Sequence, residues 1–396
     1  MQRAGAAAAQ ASLRLLSGDT ADTRILVIAG PGNNGGDALE AAAHLAQAGM
    51  RVTVLLYADP TKQGTDAQHA LQRARAATVD FPKTDHFQVT AASGYALVLD
   101  GLFGIGLTRP ITGTLRTLIE QVNLLNIPVL ALDVPSGLNA DSGSLIGDAI
   151  AVRATHTITF IGAKPGLYTG WGRDCAGEIE ISGLGIDGKY FPQTHTRLTD
   201  VAHFAASLRQ RIQNSHKGSY GSVIVLGGTH GMAGAPILAA RAALNCGAGR
   251  VYAAFVGDAP AYDPPQPELM CKSASEIDLT SAVLVVGPGL GHSRMACDLL
   301  GQALDTRSPL VLDADALNLV ASEPELQRKL AGRGGNAIIT PHPLEAARLL
   351  ASSSAQVQSD RLVAARELAR RFNAIAVLKG SGTVVAHPDG DAAINP

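Results

Sequence analysis

The sequence predicts a two-domain α/β protein in which mainly parallel sheets lie between helices. Three observations lead there. Short β-branched runs alternate with alanine-rich helical stretches along nearly the whole chain, the βαβ rhythm of a parallel sheet covered on both faces. At about 150 residues per domain, 396 residues give two or three domains. The rhythm lapses once, between Ser182 and Ser215, which puts the boundary near residue 200 and the domains at 1–200 and 201–396.

Taken in order, Met1–Gly18 holds Arg3, Arg14, no acid and many alanines. A transit peptide has that composition, but Gln10, Ser12 and Arg14 break the apolar run, so an amphipathic helix with Leu13, Leu15 and Leu16 inward is expected. Strands follow at Ile25–Ala29, Arg51–Tyr57, Ala96–Asp100, Pro128–Asp133 and His156–Ile161, with helices near Asn34–Ala48, Asp66–Ala77 and Thr112–Leu125. After the lapse, strands resume at Ser222–Leu226, Arg250–Phe255, Ala282–Val286, Pro309–Asp313, Asn336–Thr340 and Ala374–Leu378. Helices are expected at Ala233–Cys246, Arg294–Leu304, Pro343–Leu350 and Gln356–Phe372. The two halves do not look like copies of one another.

Composition removes several classes. A hydrophobic share of 46% is ample for sizeable cores and excludes disorder as the dominant state. A net charge of -2 argues against a nucleic-acid binder, which needs clustered cations. No run approaches the roughly 20 apolar residues of a membrane span. Cys175, Cys246, Cys271 and Cys297 have no CxxC spacing and read as buried thiols of a reducing compartment, so a cytoplasmic location is expected.

Ligand sites in open parallel sheets form beyond the carboxyl ends of the strands. Gly30-Pro31-Gly32-Asn33-Asn34-Gly35 satisfies GxGxxG between a strand and a helix, with Asp59 near the spacing of a ribose-binding acid. Two asparagines and Asp37 count against a dinucleotide turn, and a plain glycine-rich turn with Asn34 capping the helix is the alternative. Asp100 opens the glycine-rich loop Gly101–Pro110, which carries Arg109; Asp133 and Ser136 end the next strand. Asn34, Asp100 and Ser136 can converge as hard oxygen ligands suited to an alkali or alkaline-earth cation. Backbone N–H groups and Arg109 beside them can take phosphate. Asp133 is left facing the reactive centre.

GPGNNGGD, LDGLFGIGLTRP, LDVPSGLNADSG and FIGAKPGLYTG occur in the order found in the YjeF N-terminal family, the NAD(P)H-hydrate epimerases, and residues 1–190 resemble that family. The resemblance implies a Rossmann-like three-layer α/β/α sandwich with potassium on Asn34, Asp100 and Ser136. It further implies substrate contacts from Asn33, Asn34, Gly35, Gly36, Asp37, Gly104, Ile105, Gly106, Leu107, Thr108, Arg109 and Pro110. Asp133 would be the acid/base residue at C6 of the hydrated nicotinamide. Ala38, Ala43 and Asn139 depart from the family's usual Gly, Arg and Asp. The Ala38 methyl is expected to crowd the helix N-terminus, and the missing arginine to weaken phosphate contact.

The second half repeats strand-end chemistry at Gly227–Pro236, Gly287–Gly291, Asp313–Asn318, Thr340–Glu345 and Lys379–Thr383. Taken singly these are turns, with His342 a helix cap and Lys379 a solvated cation. Together they favour a phosphate-rich ligand. In order they resemble the YjeF C-terminal family, the ADP- or ATP-dependent NAD(P)H-hydrate dehydratases of ribokinase-like fold. That resemblance implies a hydrated nucleotide near Ala235, Gly289, Gly291 and His342, with nucleotide phosphates along Lys379, Gly380, Ser381, Gly382 and Thr383. It also implies Mg2+ and ADP or ATP, the C6 hydroxyl taking a phosphoryl group and leaving as phosphate. A homo-oligomer is expected. The family's general base lies in a GTGD motif that does not occur in these residues, and the N-terminus looks like an internal stretch of the family's first helix. A fragment lacking both ends is therefore expected, with dehydration beyond these residues alone. Two other readings stand: a ribokinase-like small-molecule kinase, and a catalytically silent nucleotide-binding module.

Overall fold

The computed structural model describes residues 1–16, 23–85, 87–148, 150–208 and 210–396, in two compact units, Met1–Gln193 and Thr194–Pro396. In the first unit a six-stranded, all-parallel sheet runs in the order β2-β1-β3-β4-β5-β6. The strands are β1 (Arg24–Ala29), β2 (Arg51–Leu56), β3 (Leu97–Gly101), β4 (Val129–Leu132), β5 (His156–Phe160) and β6 (Glu178–Ser182). The strand order reverses between β1 and β3, the place where parallel sheets open a crevice beyond their strand ends. β1 and β3 read as continuous apolar runs because helices cover both faces.

Helices α1 (Gln2–Leu15), α2 (Asn33–Gln47), α3 (Thr65–Ala76) and α4 (Gly113–Asn123) supply those covers. α1 buries its small residues, Ala4, Ala8, Ala9, Ala11 and Ser12, so its backbone packs close to α2. Leu13, Leu15 and Leu16, expected to point inward, are only partly buried at the edge of that core. Ser17 and Gly18, the end of the stretch read as one helix, lie outside the described residues. A short helix α5 (Gly172–Cys175) precedes the edge strand β6.

The second unit holds a ten-stranded sheet ordered β10-β9-β8-β11-β12-β13-β14-β15-β16-β7. Its strands are β7 (Thr196–Leu198), β8 (Ser222–Gly227), β9 (Arg250–Phe255), β10 (Met270–Ser273), β11 (Val283–Val286), β12 (Leu310–Leu312), β13 (Ala337–Ile339), β14 (Ile375–Leu378), β15 (Thr383–Ala386) and β16 (Ala392–Asn395). From β10 across to β14 the neighbours pair in parallel, β15 is antiparallel to both β14 and β16, and β7 closes that side of the sheet parallel to β16. The reversal here lies between β8 and β11.

Around this sheet lie α6 (Val201–Phe204), α7 (Gly234–Asn245), α8 (Arg294–Asp305), α9 (Asp315–Ser322), α10 (Pro324–Ala331), α11 (Pro343–Leu350), α12 (Ser354–Ser359) and α13 (Arg361–Phe372). The single helix expected over Gln356–Phe372 is two. Asp360 leaves helical geometry at φ -151° and caps α13, its carboxylate accepting from Val363 N at 2.9 Å.

Candidate functional site

Above the β1/β3 reversal lies a cavity of about 780 Å³, lined by residues beyond three strand ends. Pro31–Asn34 and Asp37 follow β1, Leu102–Thr112 and Leu115 follow β3, and Asp133 follows β4. Most of the substrate-contacting positions expected from sequence therefore meet in one crevice, including the whole Gly104–Pro110 loop with Arg109. Gly35 and Gly36 are not on its wall. A Cβ on Gly35 would stand 1.9 Å from Gly30 O, and one on Gly36 would meet the Met1 side chain. Both glycines serve packing beneath the turn.

The GxGxxG motif is explained the same way. A Cβ on Gly30 would lie 1.6 Å from Leu102 O, so this glycine lets the chain after β3 cross against the end of β1. Gly32 has open space around it. The pattern that mimics a dinucleotide turn is largely the protein's own backbone contact. α2 starts at Asn33 with Gly32 in the capping position and no side-chain cap, so Asn34 does not cap the helix. Its amide is buried, 8% exposed, and neither Oδ1 nor Nδ2 has a hydrogen-bond partner.

A polar cluster is built at the end of β3, just before the Gly104 loop. Asp100 is fully buried; its Oδ1 accepts from Ser136 Oγ at 2.6 Å and Leu102 N at 3.2 Å, and its Oδ2 from Ser136 N at 2.8 Å. Burial pushes its carboxyl above the usual carboxylate range, against the pull of those hydrogen bonds. Ser136 Oγ also accepts from Phe103 N at 2.8 Å and lies 3.1 Å from Phe103 O. A Cβ added to Gly104 would come within 3.3 Å of Asn34, so the loop and the amide are in close approach.

Asp133 sits at φ +65°, a left-handed conformation rare for a residue with a Cβ and common at functional turns. Its Oδ1 accepts from Lys164 Nζ at 2.6 Å, and more weakly from Thr159 Oγ1 at 3.3 Å and Phe160 N at 3.4 Å. Lys164 Nζ also donates to Phe160 O at 2.6 Å. With Oδ1 held from the β5 side, Oδ2 lies toward the Gly104 loop, 3.6 Å from where a Cβ there would stand. Lys164 was absent from the residues singled out by sequence; its signal was a lone cation in the glycine turn just after β5. Nearby, burial pushes Asp37 up to about 7, the charge of Asp133 adding to the rise.

The three departures are accommodated. Ala38 does not crowd the helix start: its methyl covers Gly101, where a Cβ would be 2.4 Å away. Ala43 is buried in the core shared with α1. Asn139 Oδ1 accepts from Asp141 N and Ser142 N at 2.9 and 3.0 Å, the turn an aspartate would make.

In the second unit the parallel strand ends again share one edge. Thr229 N donates to Gly289 O at 2.7 Å, tying the turns after β8 and β11. Ala235 lies in the first turn of α7, and Gly291 N donates to Asp315 Oδ2 at 2.9 Å. His342 does cap α11, Nδ1 accepting from Leu344 N at 3.1 Å, with Glu345 returning to His342 N at 2.8 Å. Lys379 is half-buried and ion-paired: Nζ donates to Asp313 Oδ1 at 2.6 Å, an oxygen that also accepts from Thr340 Oγ1 at 2.8 Å. Asp313, placed by sequence at a separate strand end, thus joins the Lys379 turn, and Lys379 is not a solvated cation.

Comparison with known proteins gives a consistent result. Residues 1–166 match the family described as YjeF-related protein N-terminus, and residues 223–396 the family described as NAD(P)H-hydrate dehydratase. The bifunctional NAD(P)H-hydrate repair enzyme Nnr of Coxiella burnetii is 40% identical over 97% of this chain and 78% of its own length. That of Escherichia coli is 39% identical over 92% of this chain and 70% of its own. Among solved structures, ADP/ATP-dependent NAD(P)H-hydrate dehydratase from Bacillus subtilis, co-crystallised with ATP/Mg2+, is 29% identical over 50% of this chain and 72% of that one, with a TM-score of 0.42.

Proposed function

The chain belongs to the bifunctional NAD(P)H-hydrate repair enzymes, which join an epimerase to an ADP-dependent dehydratase, and on that premise we propose which of its residues do each task. The crevice over β1 and β3 is the epimerisation site, with Asp133 as its acid/base residue. The observation that carries this reading is the Asp133 carboxylate, fixed through Oδ1 by Lys164 and facing the cavity with Oδ2. Inverting C6 by loss and return of its hydroxyl needs a proton given to the departing oxygen and another taken from the water that adds on the opposite face. One carboxyl group cycling between its two forms balances the protons of both transfers. Lys164 holds that group in place, and Arg109 with the backbone of the Gly104–Pro110 loop takes the nucleotide phosphates.

Potassium fits beside this site. The buried, unpartnered Asn34 amide, the buried Asp100 carboxylate and Ser136 Oγ are hard oxygen ligands near the glycine loop. A cation there would offset the buried charge of Asp100 and hold the loop against α2. In the second unit, Lys379–Thr383 would line the phosphates of ADP or ATP, and Ala235, Gly289, Gly291 and His342 the hydrated nucleotide. No group of three or more His, Cys, Asp or Glu gathers among the described residues. Mg2+ would come to this site with the nucleotide, supplying positive charge at the phosphates. No helix among the described residues is long and apolar enough to cross a membrane.

The cation assignment is tested by linkage. Because the folded-state pKa of Asp100 is raised, its contribution to stability is full below the ordinary carboxylate range and is lost as pH rises through the folded value. A bound cation counters that loss. Thermal melts at matched ionic strength should show K+ raising Tm over tetramethylammonium, increasingly as pH rises. At a hundred times its Kd the ion would add about 2.7 kcal/mol. Asn34→Ala should remove the increment. A K+ increment that is absent at every pH, or unchanged in Asn34→Ala, would count against this site.

A further inference from the structure

The turn assigned to nucleotide phosphates is built over a buried cation. Arg361, the first residue of α13, is 1% exposed. Its Nη2 donates to Leu378 O at 3.1 Å, Lys379 O at 3.0 Å and Gly382 O at 3.4 Å, while Nη1 donates to Gln358 Oε1 at 2.5 Å. Nε is buried without a partner. No carboxylate pairs with the guanidinium among the described residues, and burial pushes its pKa down. Asp360 beside it turns its carboxylate to the cap of α13. The start of a helix carries partial positive charge, so the location adds to the burden on a cation there.

Three features point beyond scaffolding. A buried charge normally demands a partner of opposite sign, and here only carbonyl dipoles answer it. All three carbonyls come from one strand end and its turn. Since a trans peptide points its C=O and N–H in opposite directions, aiming the Lys379 carbonyl at Arg361 sends the Gly380 N–H away from it. Gly380, at φ +133°, is where this approach is closest: a Cβ there would lie 3.0 Å from Nη2. Finally, the other cation of the turn is already neutralised, Lys379 by Asp313. The charge left uncompensated is that of Arg361.

We propose that Arg361 is the positioning residue of the phosphate turn, holding its carbonyls inward from below and supplying the positive potential that a nucleoside diphosphate bound above it neutralises. The inference rests on the reading of Lys379–Thr383 as a nucleotide turn. It makes the phosphates, not the base or ribose, the part of the ligand that senses Arg361.

Isothermal titration calorimetry with ADP and with adenosine separates the possibilities. Gln358→Glu is nearly isosteric, on an exposed side chain, and places a carboxylate on the guanidinium without touching the turn. It should weaken ADP by about five- to tenfold through the cancelled charge and leave adenosine within about twofold, with Tm unchanged or raised. Arg361→Gln should weaken ADP by more than about tenfold, and Arg361→Lys, which keeps the charge, should recover most of that loss. If Gln358→Glu binds ADP as the unaltered chain does while gaining stability, Arg361 is framework alone and the inference fails. If ADP and adenosine weaken together in Arg361→Lys, a general loosening explains the effect and the inference fails equally. Should the unaltered chain bind no ADP, the nucleotide reading of the turn falls first and takes this inference with it.

Discussion

Asp133→Asn should slow interconversion of the R and S hydrates by about a hundred- to ten-thousandfold, the usual contribution of a positioned acid/base group. The substitution keeps shape and tolerates the backbone. Asparagine visits the left-handed region more readily than most residues, so φ +65° at this position carries little new strain. Its amide can still meet Lys164, Thr159 and Phe160 through the carbonyl oxygen. What it lacks is a proton that comes and goes. Tm should therefore hold while the rate falls. Lys164→Met removes the strongest contact to Oδ1 and leaves the carboxylate on two long hydrogen bonds; a displaced group of this kind loses about a hundredfold in rate. Its defect should appear in kcat more than in KM, since Lys164 is not on the cavity wall. Retention of the full rate in Asp133→Asn would remove the residue from its assigned role.

Gly30→Ala is the substitution expected to cost the first unit most stability. The added Cβ would stand 1.6 Å from Leu102 O and 2.6 Å from Leu102 C, and both are backbone atoms at the end of a central strand. β1 pairs with β3 through Ala29↔Gly101, and Gly30 N donates to Gly101 O at 3.1 Å, so neither chain can withdraw without breaking the pairing. Overpacking of this sort costs about 1–3 kcal/mol, and more where backbone must move, out of about 5–15 kcal/mol for a domain. The same displacement would shift Leu102 and Phe103 off the cluster of Asp100 and Ser136. Gly32→Ala is the control: nothing lies within 4 Å of its added methyl, and it should fold with a loss of about 1 kcal/mol or less. Urea unfolding of the two variants checks the contrast. Equal stability of Gly30→Ala and the unaltered chain would contradict the account of this turn.

The parts of the fold that were readable are those whose pattern follows from double burial. β1, β3, β4 and β8 are central strands with apolar runs and glycine or proline at their ends. The edge strand β2 was readable from its apolar run, but the other outer strands were not. β6 (EIEIS) is half-exposed and rich in charge, β10 is short, and β15 and β16 form a hairpin after the Lys379 turn. The break at Asp360 was hidden because Ser359-Asp360 lies between two helix-forming stretches.

Site residues followed the same logic. A parallel sheet carries every strand's carboxyl end to one edge, so Asn34, Asp100, Asp133 and Ser136 could be gathered from sequence without knowing the strand order. Pairings between strand ends could not. Lys164 is 31 residues from Asp133, and Lys379 is 66 from Asp313. Only the adjacency of β4 with β5, and of β12 with β13 and β14, brings each pair together. The purpose of the GxGxxG glycines was also out of reach, since what Gly30 accommodates is a carbonyl 72 positions further on, at Leu102.

The central claim is that the crevice over β1 and β3 inverts C6 of the hydrated nicotinamide through Asp133. Its most direct test is to incubate the unaltered chain with purified (R)-NADHX in the presence of K+ and separate the two epimers chromatographically over time. The account predicts relaxation toward the R/S equilibrium at a rate proportional to protein concentration and abolished by Asp133→Asn. Conversion no faster than in protein-free buffer would contradict it.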